Sequence, residues 1–263
     1  MKPYWVVFGA RFRALLQYRA AALAGVGTQL FWGVVRMMIF AAFYRSSTAP
    51  QPMTYPEVVT YIWLGQAMLL LVIFRADPDV KTMIDTGSVA YELARPLDLY
   101  TLWFFRALAS RTAPVVLRIV PVLLFAGLLL GLQPPDSPLC ALLWVVSTAA
   151  AAFLSAALST LLTVSLLWTL AGEGINRMMF GLIWFLSGIV IPLPLFPDWL
   201  QPVLNFLPFR GLLDTPFRIY MNHIPTDRAL LAIGHQLAWT VVFVILGRAI
   251  LGVGKRRLVV QGG

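Results

Sequence analysis

Long apolar runs restrict the possible folds of this chain more than any other feature of its sequence. A helix needs about 20 mostly apolar residues to cross the hydrocarbon core of a bilayer. Six stretches reach or approach that length, and the predicted spans are 20–44, 57–74, 112–132, 139–170, 177–193 and 229–252. The sequence therefore predicts an all-α integral membrane protein with six transmembrane helices.

The composition also indicates a lipid environment. Hydrophobic residues make up 60% of the chain and charged residues only 12%, whereas a soluble domain is about half apolar and about a quarter charged. So few charges do not cover a water-facing surface. The single cysteine, Cys140, excludes an internal disulfide and a cysteine-based metal cluster. With only two histidines besides, no metal site is expected.

The net charge of +9 is explained by membrane topology rather than by nucleic-acid binding. Lys and Arg collect in the cytoplasmic loops of membrane proteins. With the N-terminus in the cytoplasm, most basic residues fall on the cytoplasmic side, and those outside are Arg45, Arg210, Arg218 and Arg228. This pattern predicts that both termini are cytoplasmic and that nucleic acid is not a partner.

The N-terminal segment, residues 1–19, has too few consecutive apolar residues to cross a membrane. It combines aromatic residues with Arg11, Arg13 and Arg19, a pattern typical of an amphipathic helix that lies in the cytoplasmic interface. The alternative is a simple extension of the first span.

The cytoplasmic elbow, defined as residues 75–98, is a polar and turn-rich segment between the second and third spans. An Asp-Pro pair that begins at Asp77 is typical of a helix start. Gly87 suits the left-handed position that ends a helix. Pro96 ends a second short element, and Asp98 suits the cap of the helix that enters the third span. We expect the elbow to be a compact, rigid projection into the cytoplasm.

The external hairpin, defined as residues 191–228, is largely apolar yet contains seven prolines. These prolines prevent one continuous membrane-spanning helix, and Asp198 and Pro208 each suit the start of a short helix. Irregular backbone at membrane depth must be buried in protein or line a wet cavity. We therefore predict two short helices that dip into the outer leaflet and cap the external mouth of the protein.

Catalytic motifs are missing from the sequence. It contains no nucleotide-binding phosphate loop, hydrolase nucleophile elbow or zinc-protease motif. Ion-coupled carriers usually hold ionisable groups at membrane depth, and the clear one here is Arg36. We therefore expect a chain that is not an enzyme and that takes its energy from another protein. A motor-free channel or membrane scaffold is the alternative.

Gln29 and Arg36 lie seven residues apart and share one face of the first span. An arginine within a membrane usually has a function, here a place on the pathway of an anionic or amphiphilic substrate. The alternative is that Arg36 extends to the lipid head groups. The low charge of the spans favours a hydrophobic or amphiphilic cargo.

The order of elements resembles a known family. An interfacial helix and two spans precede the elbow, four spans follow it, and the external hairpin separates the last two. This order resembles the permease subunit of type-2 ABC exporters. The segment GSVAYELARP, residues 87–96, is similar to part of their coupling loop, and FPDWLQPVLNFLPFRGLLDTPFRIYMN, residues 196–222, is similar to their external hairpin. The likeness is nearest to a bacterial branch whose permeases often form non-identical pairs.

The resemblance implies a function for the elbow. Two permeases, identical or more often related but different, pair in the bacterial inner membrane among its lipids. Each contacts a separate ATPase subunit that binds ATP and Mg²⁺, so this chain needs no cofactor of its own. The elbow residues expected to contact the ATPase are Asp79, Lys81, Asp85, Gly87, Glu92, Arg95 and Pro96. The alternative is a solvated loop with ordinary helix caps.

Overall fold

All regular elements in the described part of the chain are helical. The computed structural model describes residues 1–72, 76–168 and 173–254. The helices are α1 (Lys2–Leu16), α2 (Arg19–Ser46), α3 (Tyr55–Ala67), α4 (Pro78–Asp85), α5 (Val89–Leu93), α6 (Leu99–Leu129), α7 (Pro138–Ser165), α8 (Glu173–Leu186), α9 (Gln201–Phe206), α10 (Asp214–Tyr220) and α11 (Thr226–Gly254). The predicted all-α fold is confirmed.

Four helices in the described ranges are long and apolar enough to cross a membrane. These four segments are Ala20–Ser46, Leu99–Leu129, Pro138–Ser165 and Thr226–Gly254. The predicted spans 57–74 and 177–193 instead contain shorter helices, α3 with 13 residues and α8 with 14. A helix of 13 residues is about 20 Å long, less than the roughly 30 Å of a hydrocarbon core. The count of six spans therefore stays a prediction.

Helix α3 is short because the backbone leaves the α-helical conformation after Ala67. A 3₁₀ turn at Leu69–Leu71 follows it. Helix α8 ends at Leu186, and Gly188 beyond it has a φ of +88°. That left-handed backbone favours glycine and stops an α-helix.

Helix α1 is separate from α2, so it is not an extension of the first span. Gln17 and Tyr18 break the two helices apart, and Tyr18 has a non-helical ψ of 47°. Helix α1 buries no residue fully, and it packs along α6. The start of α6 therefore lies between α1 and the elbow.

Helix α7 forms the centre of the bundle, where it packs against α6, α10 and α11. Its buried face is built from small residues, including Ala151, Ser155 and Ser159. Small side chains allow helices to approach closely in a membrane. Ser155 also donates a 2.7 Å hydrogen bond to the carbonyl of Leu71 in the 3₁₀ turn that follows α3.

The external hairpin contains more short elements than the two helices predicted. Asp198 begins a 3₁₀ turn that leads into α9, and Pro208 begins a 3₁₀ turn at Pro208–Leu212 that leads to α10. Gln236 of α11 fixes this segment, because its Nε2 donates to the carbonyl of Gly211 at 2.6 Å. The hairpin is thus bound to the transmembrane bundle rather than free.

Candidate functional site

The elbow is fixed to the protein by an arginine–carboxylate cluster. Arg106 of α6 contacts three elbow carboxylates, at 3.2 Å to Glu92, 3.3 Å to Asp79 and 3.4 Å to Asp77. Arg11 of α1 adds contacts of 2.7 Å to Asp79 and 3.6 Å to Asp77. Two helices far apart in sequence therefore hold the same short loop.

Apolar packing adds to this charge cluster. Val80 of α4 and Val89 of α5 are buried against Trp103 of α6 and Leu251 of α11. The indole Nε1 of Trp103 donates a 2.8 Å hydrogen bond to Glu92. The elbow is therefore packed on α6 and α11 by apolar as well as polar contacts.

The elbow begins and turns where the sequence predicts. Asp77 caps α4 by accepting a 3.0 Å hydrogen bond from the backbone N–H of Asp79. Gly87 has a φ of +72° between α4 and α5, a conformation that glycine adopts without steric cost. Asp98 caps α6 through the N–H of Thr101 at 2.9 Å. Each end of the elbow is thus determined by a local backbone requirement.

The ionisation of Asp79 in the elbow is affected by its neighbours. The hydrogen bond from Arg11 is the largest influence and lowers the pKa of Asp79; burial opposes it, and the charges of Arg11 and Arg106 lower the pKa further. The carboxylate therefore stays ionised to lower pH than an ordinary aspartate does.

The other elbow residues predicted to contact an ATPase divide into two groups. Glu92 is only 7% exposed and contacts Trp103 and Arg106 of its own chain. The outer surface carries Lys81 and Asp85, which form a 2.6 Å ion pair, together with the exposed Arg95 and Pro96. Asp79 lies between the two groups, half exposed and bound to Arg11.

Tyr91 is an elbow residue that sequence reasoning missed. Its side chain is 77% exposed on α5. The available signal was its place between the buried Val89 and Glu92, because a helix that buries one face turns the intervening residue outward. A large aromatic side chain exposed on the surface of the elbow is suited to contact with a partner protein.

Gln29 and Arg36 both line a cavity of about 490 Å³ that is bordered by α2, α3, α6 and α8. The cavity is also lined by Arg118 of α6 and by Trp184 of α8. Sequence reasoning did not connect Arg118 with Gln29. Glycine at position 25 leaves room for the side chain of Arg118, because a Cβ there would lie too close, at 2.5 Å, to the guanidinium carbon of Arg118.

The side chain of Arg36 forms a hydrogen bond within the protein. Its Nη1 donates to the carbonyl of Ile189, next to the break at Gly188. That carbonyl belongs to the irregular backbone after α8, which needs a partner at membrane depth. The side chain therefore contacts protein rather than extending to lipid head groups.

A buried polar contact fixes the external hairpin to α3. The hydroxyl of Tyr61 donates a 3.1 Å hydrogen bond to the carboxylate of Asp214, and both side chains are almost fully buried. Arg218, one turn further along α10, lies 3.8 Å from the same carboxylate. The hairpin is thereby joined to the helix that ends beside the cavity.

Comparison with known proteins gives one match. A family model described as an ABC-2 family transporter protein matches residues 30–262, which is most of the chain. The chain belongs to the ABC-2 transporter family. No curated protein matches it, and no solved structure matches it.

As an ABC-2 permease, the chain is a multi-pass membrane protein and a component of a transporter. Membership of the family implies association with ATP-binding cassette ATPase subunits. The matched range includes the whole elbow and both arginines of the cavity, Arg36 and Arg118, whereas α1 lies before it. The family resemblance inferred from the order of elements is confirmed.

Proposed function

We propose that this chain is the membrane-spanning permease subunit of an ABC exporter. It moves a hydrophobic or amphiphilic substrate out of the cytoplasm, and separate ATPase subunits that bind ATP and Mg²⁺ supply the energy. In this proposal the chain has six spans in a bacterial inner membrane, with both termini in the cytoplasm. It works as a pair with a second permease, identical or related.

The attachment of the elbow to α6 is the observation that carries this proposal. The outer surface of the elbow presents Tyr91, Lys81 and Arg95, while its inner surface is held by Arg106. A displacement of the outer surface by an ATPase is therefore transmitted to α6 through ion pairs and packed valines. A loop without such attachments would absorb the displacement.

Helix α6 connects the elbow with the cavity. Arg106 forms ion pairs with the elbow, and Arg118 lines the cavity about 18 Å further along the same helix. Movement of α6 therefore changes the position of Arg118 against α2. This gives a direct mechanical route from an ATPase contact to a membrane site.

Cysteine cross-linking tests the proposed ATPase contact. Cys140 is the one native cysteine and is buried, so a Cys140→Ser chain is a clean background. Tyr91→Cys in that background should cross-link to the co-expressed ATPase subunit. The matched control is Leu128→Cys. Leu128 is about as exposed as Tyr91 but lies near the C-terminal end of α6, far from the elbow, so this variant should not cross-link to the ATPase.

The same variants test the orientation. A membrane-impermeant maleimide should leave Tyr91→Cys unlabelled in intact cells and label it in inverted vesicles. Labelling from outside intact cells would overturn the cytoplasmic elbow. A chain that forms a lone oligomer, conducts ions and never cross-links to an ATPase would favour the channel or scaffold alternative.

A further inference from the structure

Gln29 has the unusual property of being buried with no hydrogen-bond partner. Its side chain is 3% exposed and lines the cavity, yet both its Nε2 and Oε1 lack a partner among the described residues. Buried polar atoms in native proteins are nearly always paired, because an unpaired group loses its bonds to water without replacement. An unpaired amide that faces a cavity indicates that something else satisfies it.

Gln236 shows how the same chain treats a structural glutamine. Its side chain is fully buried, and its Nε2 donates to the carbonyls of Ser147 at 3.1 Å and Gly211 at 2.6 Å. Its Oε1 accepts from the hydroxyl of Ser147 at 3.0 Å. Gln236 thus has the complete set of partners that Gln29 lacks, although both lie in long apolar helices.

The cavity around Gln29 is positively charged. Arg118 lies beside Gly25, one turn before Gln29 on α2, and its Nε also has no partner among the described residues. Arg36 lies at the opposite end of the cavity, about 10 Å from Gln29 along α2. Among the described residues, the cavity lining includes no Asp or Glu. The site therefore favours an anion and disfavours a cation.

The remaining walls of the cavity are mostly apolar, and Thr28 and Gln66 are the further polar residues among those that line it. Trp32, Trp184, Leu69 and Leu70 line it between the two arginines. Its volume of about 490 Å³ lies within the range typical of small-molecule sites. A ligand that fits these surroundings has a small anionic group and a hydrocarbon part.

We propose that this cavity binds an anionic amphiphile whose head group is held by Arg118 and Gln29. The guanidinium of Arg118 presents a planar pair of donors to a carboxylate or phosphate, and the amide of Gln29 supplies a further donor. The hydrocarbon part lies against Trp32 and Trp184. The inference rests on the proposed exporter function and names the chemical class of its substrate.

Binding of single-chain lipids tests this assignment. The full chain, purified in detergent, is titrated with oleate, oleoyl lysophosphatidate and uncharged monoolein, which share one hydrocarbon chain. Both anions should bind at least tenfold more tightly than monoolein. The tighter of the two anions identifies carboxylate or phosphate as the preferred head group. Equal affinity for all three probes would overturn the proposal.

Variants locate the binding to the cavity. Arg118→Met should weaken binding of the anions at least tenfold while leaving monoolein unchanged. Arg118→Lys, which keeps a positive charge, should retain part of the affinity and serves if the methionine variant does not fold. Arg45→Gln removes an exposed arginine from the end of α2 and is the control. Anion binding that is unaffected by both Arg118 changes would contradict the site.

A pair of glutamine variants separates a ligand-binding role from a structural one. Gln29→Leu should raise the unfolding temperature of the ligand-free protein, because it removes two unpaired buried polar atoms, and should weaken anion binding severalfold. Gln236→Leu should lower the unfolding temperature and leave anion binding unchanged. A fall in the unfolding temperature of Gln29→Leu without ligand would show a structural role and overturn the assignment.

These measurements do not involve the ATPase or ATP hydrolysis. Loss of the elbow cross-link with intact anion binding would therefore reject the exporter function and keep the cavity. Loss of anion selectivity with an intact cross-link would reject the cavity assignment and keep the exporter function.

Discussion

Arg11 of the N-terminal helix donates a 2.7 Å hydrogen bond to the carboxylate of Asp79 in the elbow, 68 residues later in the chain. The same guanidinium donates from Nε to the hydroxyl of Ser110 on α6 at 2.9 Å. One side chain therefore joins three helices. The N-terminal helix is in this way part of the support for the elbow.

Arg106→Gln should loosen the elbow. The substitution removes the common partner of Asp77, Asp79 and Glu92 and leaves the buried Glu92 with Trp103 alone. We expect a loss of about 2–4 kcal/mol in the free energy of unfolding. Amide exchange in residues 77–93 should also be faster. Hydrogen–deuterium exchange measures this directly.

Arg13→Gln is the matched control for that change. Arg13 is exposed, and its Nε donates to the carbonyl of Gly9 within its own helix. Its replacement should leave exchange in the elbow unchanged. Equal exchange in Arg106→Gln and Arg13→Gln would show that the charge cluster does not hold the elbow.

The contribution of Asp79 should depend on pH in a defined direction. Its native pKa is lowered from the ordinary value of 3.8, first by the hydrogen bond from Arg11. The ion pair therefore stabilises the fold above pH 3.8, and the stabilisation is lost as the pH falls through the lower native pKa. The unfolding temperatures of the wild type and Asp79→Asn should differ slightly at neutral pH and converge in acid. High salt should reduce the difference, since the pair is partly exposed. A difference that grows on acidification would refute the assignment.

Gly87→Val should uncouple ATP hydrolysis from transport. Valine is strained at a φ of +72°, at a cost of roughly 1–2 kcal/mol, so the turn between α4 and α5 should open. Membrane insertion should persist, because the apolar spans are unchanged. The comparison is the ratio of substrate exported to ATP hydrolysed in vesicles.

Gly9→Val provides the reference for that experiment. Gly9 lies in helix α1 with open space around it, so a side chain is accommodated there without strain. Coupling in this variant should match the wild type. An unchanged export ratio in Gly87→Val as well would mean that the turn does not transmit force.

Tyr61→Phe should weaken the attachment of the external hairpin. Removal of the hydroxyl leaves the buried carboxylate of Asp214 without its closest donor. We expect a loss of about 1–3 kcal/mol in the free energy of unfolding. Proteolysis within residues 196–213 should also be faster. Tyr91→Phe, which changes an exposed tyrosine, should alter neither property. Equal stability of both variants would show that the contact does not fix the hairpin.

Several local features could be read directly from the sequence. The caps at Asp77 and Asp98 and the turn at Gly87 lie where their residue types require them. Such signals depend on atoms only two or three residues away. The shortness of α3 was not predictable in this way, because apolar residues continue beyond Ala67 while the helix does not. The 3₁₀ turn that follows is held from a distant helix, because the carbonyl of Leu71 accepts a hydrogen bond from Ser155, 84 residues later.

The candidate site was predicted only in part for the same reason. Gln29 and Arg36 were paired by their spacing on one helix, but Arg118 joins them from another helix. Glu92 belonged to a polar loop by sequence, yet its neighbours Trp103 and Arg106 bury it. Contacts between separate helices depend on how the helices pack, which spacing along one helix does not encode.

The sequence by itself determined the solvent of this protein, its helical class and the position of its polar elbow, because apolar length and helix caps are local properties. The tertiary structure alone decided which polar side chains form hydrogen bonds within the fold. Gln29 and Gln236 look alike along the chain, but packing gives one of them three hydrogen bonds and leaves the other facing a cavity. The partners that decide this come from distant helices, so only the folded arrangement distinguishes a structural glutamine from a binding one.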